Sequence, residues 1–198
     1  MTAFAKLLFR LAVFAAFTAI GGVGSAWIMA HTGSRLTTVA SGPWTVWPQS
    51  GRGDADPYTR AHTVRLGLLP LTSGVALTFH ALTDADGARL QSTCEYAIES
   101  DGLDAAWWSL ALFDDAGNLV RSPSERYAFN ASTAVRESDG GFTIALSRDA
   151  RPGNWLPTTG AGKLTLAWTV QDAKWVAQVA DETARARMLP SIRKVACR

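Results

Sequence analysis

The sequence lacks the short motifs that mark the common catalytic centres. It contains no G-x-S-x-G, no H-E-x-x-H and no G-x-x-x-x-G-K-[S/T] pattern. Its three histidines, His31, His62 and His80, are not spaced like metal ligands, so we expect no bound metal. These absences predict no catalytic residues and no cofactor, and they favour a non-catalytic binding or interaction domain over an enzyme.

Charge is missing from one long stretch near the N-terminus. Residues 11–30 carry no charged side chain, and a helix of twenty residues spans about 30 Å, the thickness of the hydrocarbon layer of a bilayer. Lys6 and Arg10 precede this stretch and no acidic residue occurs before Asp54, which predicts a cytoplasmic N-terminus. We expect residues 1–30 to anchor the chain in the inner membrane as one uncleaved span. The alternative is a cleaved secretory signal.

The remainder of the chain lacks an excess of charge of either sign. Without Lys6 and Arg10, 17 of the 19 basic residues remain, which equals the 17 acidic residues. A neutral region without basic clusters is a poor candidate for nucleic-acid binding, because that binding depends on neutralising phosphates. Because the N-terminus is expected in the cytoplasm, we expect residues 31–198, on the other side of the span, to lie in the periplasm. The expected partners are the inner membrane and a glycan or another envelope protein, with no nucleic acid.

Cysteine is scarce as well, with only Cys94 and Cys197 in the chain. Both fall on the periplasmic side of the predicted span, where disulfides persist. The even count and this compartment predict a disulfide between them. The alternative is two independent buried thiols.

Composition divides the residues that follow the anchor into two parts. Residues 31–55 are rich in Gly, Ser, Thr and Pro and predict a linker or an arm laid on the domain. Asp56 and Pro57 then predict a short helix with Asp56 as N-cap, ending near Gly67. Regularly spaced turns predict that residues 56–198 are mainly β, a jelly-roll-like β-sandwich with one short helix, preceded by the transmembrane helix.

Several strands are predicted inside that domain. Residues 74–83 and 88–100 predict a hairpin around an Asp-Gly turn, and residues 107–113 and 163–170 predict further strands. Residues 174–179 are an additional strand candidate. A last strand over residues 192–197 is expected to bring Cys197 back to Cys94.

Tryptophan is the least ordinary residue of the predicted domain, with seven after the anchor. Trp107 and Trp108 are adjacent in a predicted strand and so point to opposite faces, one of them open to a ligand or covered by a loop. Because aromatic sheet faces often bind sugars, the candidate ligand-binding residues are Trp107 and Trp108, with Asp56, Tyr58 and Arg60 from the short helix. The alternative is that the indoles fill the core.

A second function stays open at this point. Acids such as Asp56, with Tyr58 or Arg60, are compatible with a hydrolase or lyase that acts on an envelope carbohydrate. A cleft with two facing carboxylates would favour that enzyme.

Seven segments occur in an order that resembles a known family; they are residues 42–48, 56–61, 67–71, 84–98, 105–119, 154–157 and 189–197. Together they resemble the bacterial domain of unknown function numbered 1214, in its short form with an N-terminal membrane segment. The best signals are the Trp-Trp-Ser-Leu strand, the Asn-Trp-Leu-Pro loop and the paired cysteines. The resemblance implies a jelly-roll-like β-sandwich and no established activity. It also implies an arginine- and tyrosine-containing strand where this chain has Leu-Ala-Trp-Thr-Val at 166–170.

Overall fold

The first element of the structure is a long apolar helix. The computed structural model describes residues 3–197, and α1 (Ala3–Thr32) begins at the first of them. Its most apolar window has a mean hydropathy of 1.9, and none of that window is buried against the rest of the protein. Length and composition therefore suit α1 to cross a membrane. Gly33 follows the helix with a φ of 73°, which is typical of the residue that terminates a helix.

The rest of the chain is mainly β and forms two sheets. The larger sheet contains, in spatial order, β1 (Val39–Ser41), β2 (Trp44–Val46), β3 (Ala76–Ala81), β9 (Leu164–Gln171), β5 (Trp107–Asp114) and β6 (Ala128–Asn130). The smaller sheet contains β10 (Ser191–Cys197), β4 (Cys94–Ser100), β7 (Phe142–Ser147) and β8 (Asn154–Pro157). Three short helices, rather than the one expected, accompany the sheets: α2 (Pro57–Arg65), α3 (Ala173–Val176) and α4 (Glu182–Met188). The prediction of a mainly β domain after an apolar helix is confirmed.

Alternation along the central strands separates the two faces of the larger sheet. In β5, Trp108, Leu110 and Leu112 are buried and their neighbours are partly exposed. The buried face meets the smaller sheet, because the Trp108 ring stacks on Phe142 of β7 with centroids 4.5 Å apart. Trp168 of β9 completes the cluster at 4.8 Å from Trp108. The two sheets therefore share one hydrophobic core.

Helix α2 begins and ends where the sequence predicts. The carboxylate of Asp56 accepts hydrogen bonds from the backbone N–H groups of Tyr58 and Thr59, at 2.9 and 3.0 Å. Pro57 occupies the first helical position, where its missing N–H does no harm. Gly67 follows the helix with a φ of 63°. The predicted helix is confirmed at both ends.

The predicted hairpin between residues 74–83 and 88–100 is wrong over most of its length, because β3 and β4 lie in different sheets. A short hairpin exists only at the Asp-Gly turn, where Thr83 bridges Arg89. The chain then turns at residues 91–94, where the N–H of Cys94 donates to the carbonyl of Gln91, and crosses to the smaller sheet. Polar residues 91–93 fit a strand as well as a turn, so alternation alone does not reveal the crossing.

Two further expectations differ from the structure. Residues 174–179 do not form a strand, because Asp172 caps α3 by accepting from the N–H of Lys174. Residues 154–157, expected as a loop, form β8, which pairs in parallel with β7. A strand of four residues is too short to be recognised from the alternation of apolar and polar residues.

Cys94 and Cys197 form a disulfide, as predicted. They are the paired first residue of β4 and last residue of β10, with Cα atoms 4.0 Å apart. Their separation of 103 residues means that the bond closes most of the β domain into one loop. It also holds β10 at the edge of the smaller sheet.

We expect the double variant Cys94→Ser/Cys197→Ser to lose about 4–5 kcal/mol of unfolding free energy, because the unfolded chain is no longer closed into a loop of about 100 residues. Urea unfolding of the full chain in detergent micelles measures the change. A reductant should lower the stability of the wild type by a similar amount and leave the double variant unchanged. A wild type that does not respond to the reductant would contradict this role of the disulfide.

Candidate functional site

A groove of about 630 Å³ lies on the outer face of the larger sheet. Its floor crosses three adjacent strands, β3, β9 and β5, at positions that point away from the core. The floor residues form two cross-strand rows, Thr78–Thr169–Ser109 and His80–Ala167–Ala111. All of these side chains except His80 are small, so the surface of the sheet is recessed here.

The floor makes few polar demands on a ligand. The hydroxyl oxygens of Thr78 and Thr169 lie 2.9 Å apart and hydrogen-bond each other across the two strands. Beside them, Ala167 and Ala111 offer only methyl groups. A ligand on this part of the floor therefore meets methyl groups and two hydroxyls that already bond each other, while Ser109 and His80 are the remaining polar residues of the floor.

One wall of the groove consists of leucines that water reaches. The segment that follows α2 contributes four of them, here called the leucine rim: Leu66, Leu68, Leu69 and Leu71. Leu69 is 99% exposed and Leu71 is 55% exposed. The rim is packed against the preceding arm at Gly51, where φ is 74° and an added Cβ would lie 2.5 Å from the Leu71 carbonyl oxygen. Only glycine allows this close approach.

A tryptophan–histidine stack joins the groove to the end of α1. The rings of Trp47 and His62 stack with centroids 4.1 Å apart, and both residues line the groove. Nδ1 of His62 donates to the carbonyl of Ala30 at 3.0 Å. Gly33 approaches so closely that an added Cβ would lie 3.0 Å from the Trp47 ring. The groove therefore begins beside the last turn of α1.

Two histidines of the groove favour the neutral form. Burial lowers the pKa of His80 to about 4, and the nearby His62 adds to the effect. Burial also lowers the pKa of His62, while its hydrogen bond to Ala30 opposes the shift. At neutral pH the groove thus contains two uncharged imidazoles.

The acidic residues of the groove already have partners. Among the described residues that line it, the acids are Asp114 and Asp115, at the end of β5. The backbone N–H of Asn118 donates to the Asp114 carboxylate at 2.8 Å and holds its pKa below the usual value. Asp115 pairs with Arg89 at 3.3 Å and with Lys163 at 3.7 Å. The Asp114 carboxylate thus stabilises the turn after β5, and the Asp115 carboxylate is paired with two basic side chains.

The strands that form the floor lie in a region with known relatives. Residues 75–175, about half of the chain, match the family described as "Protein of unknown function (DUF1214)". The chain belongs to the DUF1214 family. The resemblance inferred from the sequence is therefore confirmed. No curated protein matches the chain.

Two solved structures are similar to this DUF1214 protein. The VPA0106 protein from Vibrio parahaemolyticus is 20% identical, with a TM-score of 0.56 over 73% of this chain and 36% of that one. An uncharacterized protein from Burkholderia cenocepacia is 17% identical, with a TM-score of 0.39 over 62% and 30% of the two chains. The chain spans about a third of the length of these two structures. The first similarity shows a shared fold.

The DUF1214 region supplies only part of the groove. β3, β9 and β5, which form the floor, fall inside residues 75–175. The leucine rim, Trp47 and His62 precede that region. The groove is therefore assembled from the family region and from the segment that connects this region to α1.

Three of the residues proposed from the sequence stand at the start of α2, outside the groove lining. Partial burial acts to raise the pKa of Asp56, but hydrogen bonds from Thr59 and Tyr58 outweigh it and leave the pKa below its usual value. Nε of Arg60 donates to the carbonyl of Ala55 at 2.7 Å. Tyr58 is partly exposed. The structure thus shows Asp56 as a helix cap and Arg60 as a partner of the arm.

The two adjacent tryptophans point to opposite faces of β5, as their spacing requires. Trp108 is fully buried in the core. Trp107 is partly exposed on the outer face and pairs with Gln171 at the end of β9. Neither residue lines the groove. Sequence reasoning missed the groove residues because small side chains and leucines carry no chemical signature, although the exposed Gly-Leu-Leu-Pro-Leu run was a usable signal.

We expect acidification from about pH 7.5 to about pH 5 to destabilise the protein by about 1–2 kcal/mol through His80. The folded-state pKa near 4 lies below the ordinary value of 6.5, so the unfolded chain binds more protons in this range and stability falls with falling pH. Urea unfolding of wild type and of His80→Gln at both pH values measures the contribution.

The variant His31→Gln is the matched control. It retains His80, so its stability should keep the part of the pH dependence that His80 contributes. The neutral glutamine of His80→Gln should remove that part of the dependence. An identical pH response in the wild type and in His80→Gln would contradict the assignment.

Proposed function

We propose that the chain is a single-pass inner-membrane protein whose β domain faces the periplasm and acts by binding a ligand in the groove, without catalysing a reaction. We also propose that the two sheets form a jelly-roll-like β-sandwich, the architecture that the family resemblance implies. The groove is the observation that carries the proposal, because it combines a recessed floor, an apolar rim and contact with the end of α1.

The exposed surface of α1 supports a membrane location. Phe14, Phe17 and Ile20 are between 70% and 76% exposed on it. Water would solvate such a surface poorly, whereas the hydrocarbon of a bilayer solvates it well. Lys6 and Arg10 before the apolar stretch support an N-terminus in the cytoplasm and a β domain on the other side.

The disulfide supports the periplasmic side independently of charge. Cys94 and Cys197 are bonded to each other in the folded domain. Structural disulfides form and persist in the bacterial periplasm and are rare in the cytosol, where thiols are kept reduced.

The polar contacts of the groove support binding over hydrolysis or lyase chemistry. A glycosidase of the usual type needs two facing carboxylates, one of them with a raised pKa. Here Asp114 is held by the turn, Asp115 is paired with Arg89 and Lys163, and Asp56 caps a helix with a lowered pKa. The rim is built of leucines rather than open aromatic rings, which favours an apolar ligand over a sugar.

Reporter fusions after Arg198 test the topology. Alkaline phosphatase, which is active only after export, should be active there, because the N-in orientation carries the C-terminus to the periplasm. Green fluorescent protein exported by the same route should stay dark. The fused chain should also keep the mass of α1 and remain in the membrane fraction after a carbonate wash.

A matched variant removes the orientation signal. Replacing Lys6 and Arg10 by Glu should lower phosphatase activity at equal expression, since the positive charges that retain the N-terminus are gone. Fluorescence without phosphatase activity in the wild type would contradict the periplasmic location. A soluble fusion that has lost the mass of α1 would contradict the uncleaved anchor.

A further inference from the structure

The groove starts at the point where α1 joins the β domain. Trp47 and His62 line one end of it; His62 donates to the Ala30 carbonyl in the last turn of the helix, and Trp47 lies against Gly33, the residue that follows the helix. Because α1 is proposed to end at the membrane surface, this end of the groove lies next to the lipid headgroups. A ligand from the bilayer has only a short distance to travel.

The leucine rim continues an apolar surface from this junction. Leu66 is 47% exposed, Leu68 is 42% exposed and Leu69 is almost fully exposed. Val64, on the last turn of α2, is 79% exposed. Exposed apolar patches of this kind mark interaction sites, and beside a membrane helix the nearest apolar partner is lipid.

The chemistry of the groove selects an uncharged ligand segment. No Lys or Arg occurs among the described residues that line it, and its two acids are held by the turn after β5 and by Arg89 and Lys163. The threonine hydroxyls of the floor bond each other. A phosphate or carboxylate has no Lys or Arg partner inside the groove, whereas the leucine rim, Ala111 and Ala167 offer apolar surface to a hydrocarbon chain.

We propose that the groove holds one acyl chain of a phospholipid drawn from the leaflet on which the domain rests, with the headgroup remaining at the membrane surface beside Trp47 and His62. The volume of about 630 Å³ is of the size that ligand pockets have. This inference rests on the proposal that α1 spans the membrane. The floor then contacts methylene groups through Ala111 and Ala167, and the rim covers the chain from the side.

Photo-crosslinking tests the site in the full chain. The protein is reconstituted into vesicles of phosphatidylethanolamine and phosphatidylglycerol that contain a phosphatidylcholine with a diazirine at the end of one acyl chain. After irradiation, mass spectrometry locates the lipid adducts. We expect adducts on α1, which lies in the bilayer, and a second group of adducts on the groove floor and the leucine rim.

Variants that fill the groove distinguish lipid bound in the groove from lipid that surrounds α1. In Ala111→Trp and Ala167→Trp an indole occupies the floor, so adducts on the floor and rim should fall at least about fivefold while those on α1 stay constant. The matched control is Val135→Trp, which places the same indole at a position that is 66% exposed and outside the groove. It should leave both groups of adducts unchanged. The wild-type adduct map is decisive even if a groove variant does not fold.

The outcomes distinguish the acyl-chain site from the membrane anchor. Adducts on α1 alone, or floor adducts that persist in both groove variants, overturn the site and leave the anchor intact. A lack of adducts on α1 as well overturns both. If photo-leucine at position 69 crosslinks to a second copy of the chain instead of to lipid, the groove is a protein interface and the acyl-chain site is overturned.

Discussion

Period-two alternation along β3, β9 and β5 is the constraint on which both the core and the groove depend. Successive side chains of a strand point to opposite faces, so the residue after an inward indole points outward. In this sequence the residues that follow Trp108 and Trp168 are small. Trp108 and Trp168 fill the core, while Ser109 and Thr169 form part of the groove floor. A shift of one residue in register would move indoles into the groove and hydroxyls into the core. The register that packs the core therefore also shapes the groove.

Two buried indoles, those of Trp44 and Trp168, hold the last segment of the chain in place. Nε1 of Trp44 donates to the Pro190 carbonyl at 2.8 Å, and Nε1 of Trp168 donates to the Met188 carbonyl at 2.9 Å. Both bonds reach the backbone just before β10, and the bond between Cys94 and Cys197 holds the far end of that strand. The larger sheet thus secures the start of β10, and the disulfide secures its end.

Local signals in the sequence predicted the elements better than the way in which they pair. Asp56, Pro57 and Gly67 predicted both ends of α2, and alternation predicted β5 and β9, because these signals act within a few residues. The hairpin between β3 and β4 was wrong because the turn at residues 91–94 is made by polar residues that also suit a strand. α3 replaced an expected strand because the cap at Asp172 outweighs the strand preference of Trp175 and Val176.

The groove was harder to predict than the fold. It requires β3, β9 and β5 to be neighbours, although β3 and β9 are separated by more than eighty residues of sequence. The candidate residues taken from the sequence were chosen by type, as acid, arginine, tyrosine and tryptophan. The groove instead consists mainly of alanine, threonine and leucine, residue types whose role depends entirely on where the fold places them.

The leucine rim contributes little to the stability of the domain in water. A leucine that is fully buried contributes about 1.5–3 kcal/mol relative to an exposed one, so Leu69, at 99% exposure, adds almost nothing to the fold in water. The backbone of the rim is nevertheless packed against Gly51 at Leu71, and the stack of Trp47 on His62 joins the groove to the end of α1. Exposed apolar surface that does not serve the core can gain free energy only from a partner, and in the proposed topology the bilayer is the partner that α1 brings closest.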